Sequence, residues 1–417
     1  MVNDFWNQNA EDELIEIFQN LIRLKTINAK KNEIIAVNYL AEIFERQGID
    51  YEMIESAPGR GNIIARIKGG KEKPLIYLSH LDVVDVVQDK WIREPFSADR
   101  VDGRIHGRGT LDTKQMTAMA VMIMLIVKRS KLKLNRDLVF VASADEENGS
   151  EYGMAYLSKN HGHHFKDGYV FNEGGGFILP NLDKSFRICA CGEKGVCEVT
   201  FDFKGGSEGI ELFNQIMSTV TSYQSKEVVC QVSSRFKQIA GDYIDQDTTI
   251  RNLWEYMTRD TITINAFDLT KQDLMDGQPI QIKVTYRFLP GMDRACVEDK
   301  LRDLFSDCAA SYRITKYFDG YESDIDSDFI QILEEKSKMD GKDTSLLPII
   351  ALGNTDGRFI RQNVYGYTPL LEEDSFDQVL KMVHGHNESI GEKSLIYGTK
   401  VLLDTTIEMM NRDEGGC

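Results

Sequence analysis

At 417 residues and 42% hydrophobic content, the chain exceeds one ordinary core and carries enough apolar side chains for two, so two domains are expected. A formal net charge of -17 argues against nucleic acid and anionic membrane as partners, because both would repel it. The seven cysteines are an odd set in a long chain and read as reduced thiols of a cytoplasmic protein; Cys189, Cys191 and Cys197 lack the paired knuckles of structural zinc.

The acidic, amphipathic amino terminus has neither the basic region nor the apolar core of a signal peptide. Two helical patterns open the chain. Asp12 to Leu24 sets Leu14, Ile15, Ile17, Phe18, Leu21 and Ile22 on one face, and Asn32 to Arg46 repeats the device until Gly48 ends it. Strand-like runs follow at Tyr51 to Ile54 and Asn62 to Ile67. Next comes LIYLSHLD, a short apolar run from Leu75 that ends abruptly in His80-x-Asp82, as a buried strand does when it delivers a ligand at its carboxyl end. Asp82 points to the same side as His80 and is placed to hydrogen-bond the other ring nitrogen.

After Asp112, Lys114 to Lys128 is apolar on nearly every face and reads as a helix buried against a sheet; its apolar run is too short to span a bilayer. Asp137 to Ser143 is a second buried strand, ending in ADEENGSEYG. Gly168 to Phe171 is a third, ending at Glu173 and opening into glycine. Strands that finish in acid or histidine and alternate with helices predict an α/β fold with a mostly parallel sheet. From about 196 to 314 the pattern changes to period two, in EVTFDFKGG, TITINAFDL and IQIKVTYRFLPG, with helical segments at Glu211 to Thr221 and Arg294 to Ser306. This predicts an α+β domain, 196–314, inserted into a catalytic domain of 1–195 and 315–417. Ser327 to Met339, the run LLPIIALG and a last helix from about Ser389 to Met410 resume the first style.

A pair of metal ions about 3.5 to 4 Å apart needs a bridging carboxylate, terminal imidazoles and carboxylates, and a free base beside the shared water. The sequence offers His80, Asp112, Glu146, Glu147, Glu173 and a histidine in HGHNE, each after a predicted strand or at a helix start. Asp112 suits the bridge, since its two oxygens can each face one metal. Of Glu146 and Glu147, one can reach a metal while its neighbour points to the water. Each piece alone has a bland explanation: a lone histidine after a strand is usually structural, and an acidic pair is usually solvated. Their joint occurrence at strand ends of one sheet is what points to catalysis. HGHH at 161 to 164 has no such company and reads as a solvated loop, and the glycines at 174 to 176 lack the lysine of a phosphate loop.

With SHLDVV, DGRIHGRGTLDTK, ADEENGSEYG, NEGGG, RFLPG, GNTDGRFIR and HGHNE in hand, the chain resembles the zinc-dependent aminoacylase, carboxypeptidase, dipeptidase and acyl-diamine deacylase family of co-catalytic metallohydrolases. The resemblance implies two divalent ions, zinc first and cobalt or manganese as substitutes. It makes His80, Glu147 and Glu173 terminal ligands, Asp112 the bridge, Glu146 the general base and Asp82 the partner of His80. The last ligand is His384, four residues before Glu388, and His386 becomes a pocket neighbour. The implied substrate is an N-acyl amino acid or short peptide with a free carboxylate, for which Arg358 and Arg287 are candidate holders and Asp356 a further contact. A homodimer through the inserted lid domain is also implied. One departure stands out. The histidine that many relatives carry in the inserted domain to stabilise the oxyanion is missing, since FKGGSEG stands at that place and no histidine lies between His164 and His384. A relative that binds metal without catalysis, acting as a binding protein, is the alternative this departure raises.

Overall fold

The computed structural model describes residues 5–180, 184–265, 277–308, 311–338 and 344–412. The chain divides into two compact units: Met1–Cys191, Ser323–Pro348 and Thr355–Cys417 form the larger, Gly192–Glu322 and Ile349–Asn354 the smaller.

The larger unit is built on strands β1 (Asp50–Ala57), β2 (Arg60–Ile67), β3 (Glu72–His80), β4 (Arg136–Ser143), β5 (Tyr169–Asn172), β6 (Ser185–Ala190), β7 (Thr344–Ile349) and β8 (Val364–Gly366). They lie in the order β1-β2-β4-β3-β5-β8-β6-β7, with Ile178–Pro180 added beside β6. The four central strands β4, β3, β5 and β8 run parallel, whereas β1, β2 and β6 pair antiparallel towards the margins. The predicted α/β class is thus the observed one. Every residue of β4 from Leu138 to Ser143 is buried, as both faces of a parallel sheet demand. The register sets His80 opposite Ser143, so β3 and β4 end level and present their following loops side by side.

Helices α1 (Gln8–Arg23), α2 (Ile34–Gln47), α3 (Lys114–Ser130) and α4 (Glu392–Asn411) cover this sheet. The six apolar residues read from the first pattern are all buried in α1, whose Asn7 cap accepts the Ala10 N–H. Gly48, at φ +63°, ends α2 in the left-handed conformation that glycine adopts without cost. Helix α3 is buried from Lys114 through Val127 and packs on β3 and β4 as well as on α1 and α4. The last helix begins at Glu392 rather than Ser389, because Ser389–Gly391 is taken up as a strand against Arg104–His106, itself paired with Asp99–Val101. That short sheet has no sequence signal beyond three residues per strand.

In the smaller unit four antiparallel strands lie in the order Thr261–Ile264, Pro279–Phe288, Gly195–Lys204, Tyr312–Phe318. Val199, Phe201, Ile282, Val284, Tyr286 and Phe288 form its core with Ile216 and Val220 of the helix Ser207–Ser222 and Val297 and Leu301 of Arg294–Leu304. Helices Gln231–Ala240 and Thr248–Thr258 were not anticipated, although Ile250, Leu253, Trp254 and Met257 have helical spacing and are buried. Ile349–Asn354, read from the sequence with the large domain, groups here: Ala351 N–H donates to Gly192 O, and Arg287 Nη1 donates to Asn354 Oδ1 at 2.6 Å. The rest of TITINAFDL after Asn265 and the end of the Ser327 to Met339 pattern lie outside the described residues.

Candidate metal centre

The loops leaving the parallel strands converge. His80 is the last residue of β3, Glu146 and Glu147 open the 3₁₀ turn after β4, Glu173 follows β5, and Asp112 precedes α3. His384 comes from the loop before Ser389–Gly391, held in the left-handed region at φ +56°.

Asp112 is the hub. Its Oδ1 lies 3.1 Å from His80 Nε2, and its Oδ2 lies 2.9 Å from His384 Nε2. His80 Nε2 is also 3.5 Å from Glu173 Oε2, and His384 Nε2 is 2.9 Å from Glu147 Oε2. The site therefore has two halves sharing one carboxylate: His80 with Glu173, and His384 with Glu147. Ligand atoms of His80, Glu146 and Glu173 lie within 4.8 Å of one another, as do those of His80, Asp112 and Glu147.

Charge makes this grouping costly by itself. Four carboxylates share two imidazoles. Burial pushes Glu146 well above its usual range and Glu147 upward, and it takes Glu173 to about 7 against the pull of His80. Asp112, though buried, is held well below by its bonds to His384 and His80. His80 is buried, which opposes its charge, yet Glu173, Asp112 and Asp82 raise it well above its usual value. Hydrogen bonds to Asp112 and Glu147 take His384 to about 10. Glu147 Oε1 is buried with no hydrogen-bond partner among the described residues. An excess of buried oxygen donors, one of them unpartnered, beside two imidazoles is the donor set that two divalent cations would neutralise.

One expected contact differs. His80 Nδ1 faces the main-chain oxygen of Asp82 at 2.9 Å, while the Asp82 carboxylate is 3.6 Å away, beyond hydrogen-bond range. The carboxylate is engaged elsewhere: it accepts the Glu146 N–H and the Glu147 N–H, each at 3.1 Å, and Asn28 Nδ2 at 2.7 Å. It caps the turn that carries the base and a ligand. Asn28 escaped the sequence reading, since nothing around INAKKN marks it.

Asp356 is 2% exposed and accepts the hydroxyls of Ser143 and Ser150, so it ties the end of β4 to the GNTDGR turn. Arg358, 5% exposed, donates to Ser150 Oγ at 3.4 Å. Arg287 stands in the smaller unit, on Pro279–Phe288. His386 is exposed, and among the described residues it is His384 that pairs with Asp112 and Glu147. HGHH is not the freely solvated loop expected: His161 and His164 flank the two oxygens of Glu52 at 3.4 and 3.5 Å, and Arg66 lies 3.0 Å from His164 Nδ1 while pairing with Asp137.

Residues 76–408 match Peptidase family M20/M25/M40. The chain belongs to that family. Among its M20 relatives, a protein of Staphylococcus aureus named "Probable succinyl-diaminopimelate desuccinylase" is 26% identical over 307 residues, covering 72% of this chain and 74% of the relative. Aminoacylase-1 of Dictyostelium discoideum is 23% identical over 427 residues, covering 98% and 100%. The fold is that of an M20 family metallo-carboxypeptidase from Sulfolobus solfataricus, with a TM-score of 0.76 at 18% identity over 95% of this chain and 99% of the other. This M20 protein is accordingly a hydrolase of the metallopeptidase type that acts on amide bonds of acyl amino acids or peptides, with residue groups fit to hold metal. No helix among the described residues is long and apolar enough to cross a membrane.

Proposed function

We propose that the chain hydrolyses the amide bond of N-acyl amino acids or short peptides bearing a free carboxylate, using two divalent cations, zinc first and cobalt or manganese as substitutes. The observation that carries this reading is Asp112, which offers one oxygen to each histidine. In this reading His80, Glu173 and Asp112 hold one cation, and His384, Glu147 and Asp112 hold the other. When bound, the pair polarises the amide carbonyl and brings the pKa of a shared water towards about 7.

The rest falls to the protein. Glu146, whose backbone N–H is held by the Asp82 carboxylate, takes the proton from the attacking water and returns it to the departing amine nitrogen. Either Arg358 or Arg287 is the proposed holder of the substrate carboxylate, through the paired N–H groups of a guanidinium. Asp356, engaged by two hydroxyls, supports the Arg358 turn, and His386 stands at the rim. A homodimer through the smaller unit and a cytoplasmic setting, where the free cysteines stay reduced, complete the proposal.

The test is release of free amino groups from a panel of N-acyl amino acids and dipeptides, with zinc, cobalt or manganese returned to chelated protein. Metal-dependent release supports the proposal, and the best substrate names the acyl group and side chain. Glu146→Gln should lower kcat by about 10²- to 10⁴-fold while two metal equivalents per chain remain bound. Two bound metals with no turnover of any panel member would move the non-catalytic binding role ahead.

A further inference from the structure

Glu388 is fully buried, and its carboxylate is not part of the cluster described above. All its acceptor positions face a single loop. Oε2 accepts Arg108 Nη1 at 2.8 Å and the Gly109 N–H at 2.9 Å; Oε1 accepts the Leu111 N–H at 2.5 Å and the Asp112 N–H at 3.2 Å. The fork of Arg108 closes the loop from the other side, because its Nη2 donates to Gly385 O at 2.6 Å, the residue after His384. Arg108 is itself 2% exposed and lies over the Trp91 ring. One charge pair thus fastens the segment carrying Asp112 to the segment carrying His384.

Such a fastening matters unequally for the two halves of the site. His80 and Glu173 sit on or directly after β3 and β5, whose places are set by the hydrogen-bonded sheet. His384 sits on a loop with a side chain 53% exposed, so the sheet does not set its distance to Asp112. We propose that Glu388 and Arg108 are positioning residues that set the spacing of Asp112 from His384 and thereby the affinity of the His384–Glu147 half for its cation, without touching that cation. This rests on the reading of Asp112 and His384 as metal ligands.

The chemistry predicts which changes break the clamp. Glu388→Gln keeps the shape but turns one oxygen into an N–H donor, which must then face either Arg108 and Gly109 or Leu111 and Asp112, all of them donors. Arg108→Lys keeps the charge but loses the fork that joins Glu388 to Gly385 O.

Wild type, Glu388→Gln and Arg108→Lys, each also combined with His384→Ala, are loaded with zinc and titrated with a chelator, and metal-free samples are checked by circular dichroism. Wild type should yield two equivalents. Each clamp change should release one equivalent at about 10- to 100-fold lower chelator concentration, weaken the other clearly less although both share Asp112, and add no more than that smaller weakening on the His384→Ala background. Unchanged release, equal weakening of both equivalents, or loss of folded signal in both variants overturns the clamp in favour of general scaffold support. A wild-type chain that binds fewer than two equivalents instead sinks the metal reading on which the clamp stands.

Discussion

The carboxylate of Asp82 takes three N–H donors, two of them from the backbone of Glu146 and Glu147, and so orients the turn after β4 more directly than it orients His80. Asp145, one residue earlier, sits at φ +64° and is paired with Arg60 Nη2 at 3.0 Å; Arg60 also pairs with the buried Glu33. Asp82→Ala would strand those three donors in a buried site. We expect about 10- to 100-fold weaker metal binding and a fall in kcat/KM with little change in global fold, read by chelator competition and steady-state kinetics. Asp82→Asn, which keeps one acceptor oxygen, should lie between. At this scale the sequence was legible wherever a ligand type ends a strand. His80, Glu146, Glu147 and Glu173 were legible because an apolar run stopped by a polar ligand is a local signal, whereas Asp112, before a helix, and His384, in a loop, were assigned through the family resemblance; all six come together. Asn28, Arg108 and Glu388 were not picked out for their contacts, because their partners lie up to 280 residues away in the chain.

Among the elements, α3 shows how a buried charge serves a neighbouring helix. Lys114 Nζ donates to Leu21 O and Leu24 O, both at 2.8 Å; Leu21 lies in the last turn of α1, whose carbonyls the helix leaves open, while Leu24 O also accepts the Thr26 N–H at 2.7 Å. Lys114→Met would leave Leu21 O without this donor, at a cost of about 1 to 3 kcal/mol, measurable as a lower denaturant midpoint. The pH dependence has a definite sign. Burial lowers Lys114 from 10.5 to about 7, so between those values the unfolded chain binds more protons than the folded one. Stability from this group therefore rises with pH across that window, and the wild type should gain on Lys114→Met between pH 7 and pH 9 in paired melts. Of the helices, α1, α2 and α3 follow from apolar spacing alone. The start of α4 does not, since Ser389–Gly391 is a strand only because Arg104–His106 lies beside it.

Over the whole molecule, each unit closes its own core. In the smaller unit Phe201 packs edge-on against Phe305 at 4.9 Å between ring centres and is fully buried. Phe201→Ala should cost about 3 to 5 kcal/mol in that unit. Hydrogen exchange should quicken in Gly195–Lys204 and Pro279–Phe288 while the metal equivalents held by the larger unit stay unchanged; loss of metal in the same variant would count against separate cores.

Apolar periodicity determined the α/β class and the presence of an inserted period-two domain, because each depends on residues near one another in the chain, while the kind of chemistry was what the resemblance carried by the ligand motifs implied. Tertiary structure decided the matters of partnership: that Asp82 caps a turn rather than bonding His80, and that Glu388 ties two distant loops together. Those are choices among donors and acceptors of the same type, and only the folded backbone, by fixing distances to a few tenths of an ångström, makes one pairing stronger than the rest.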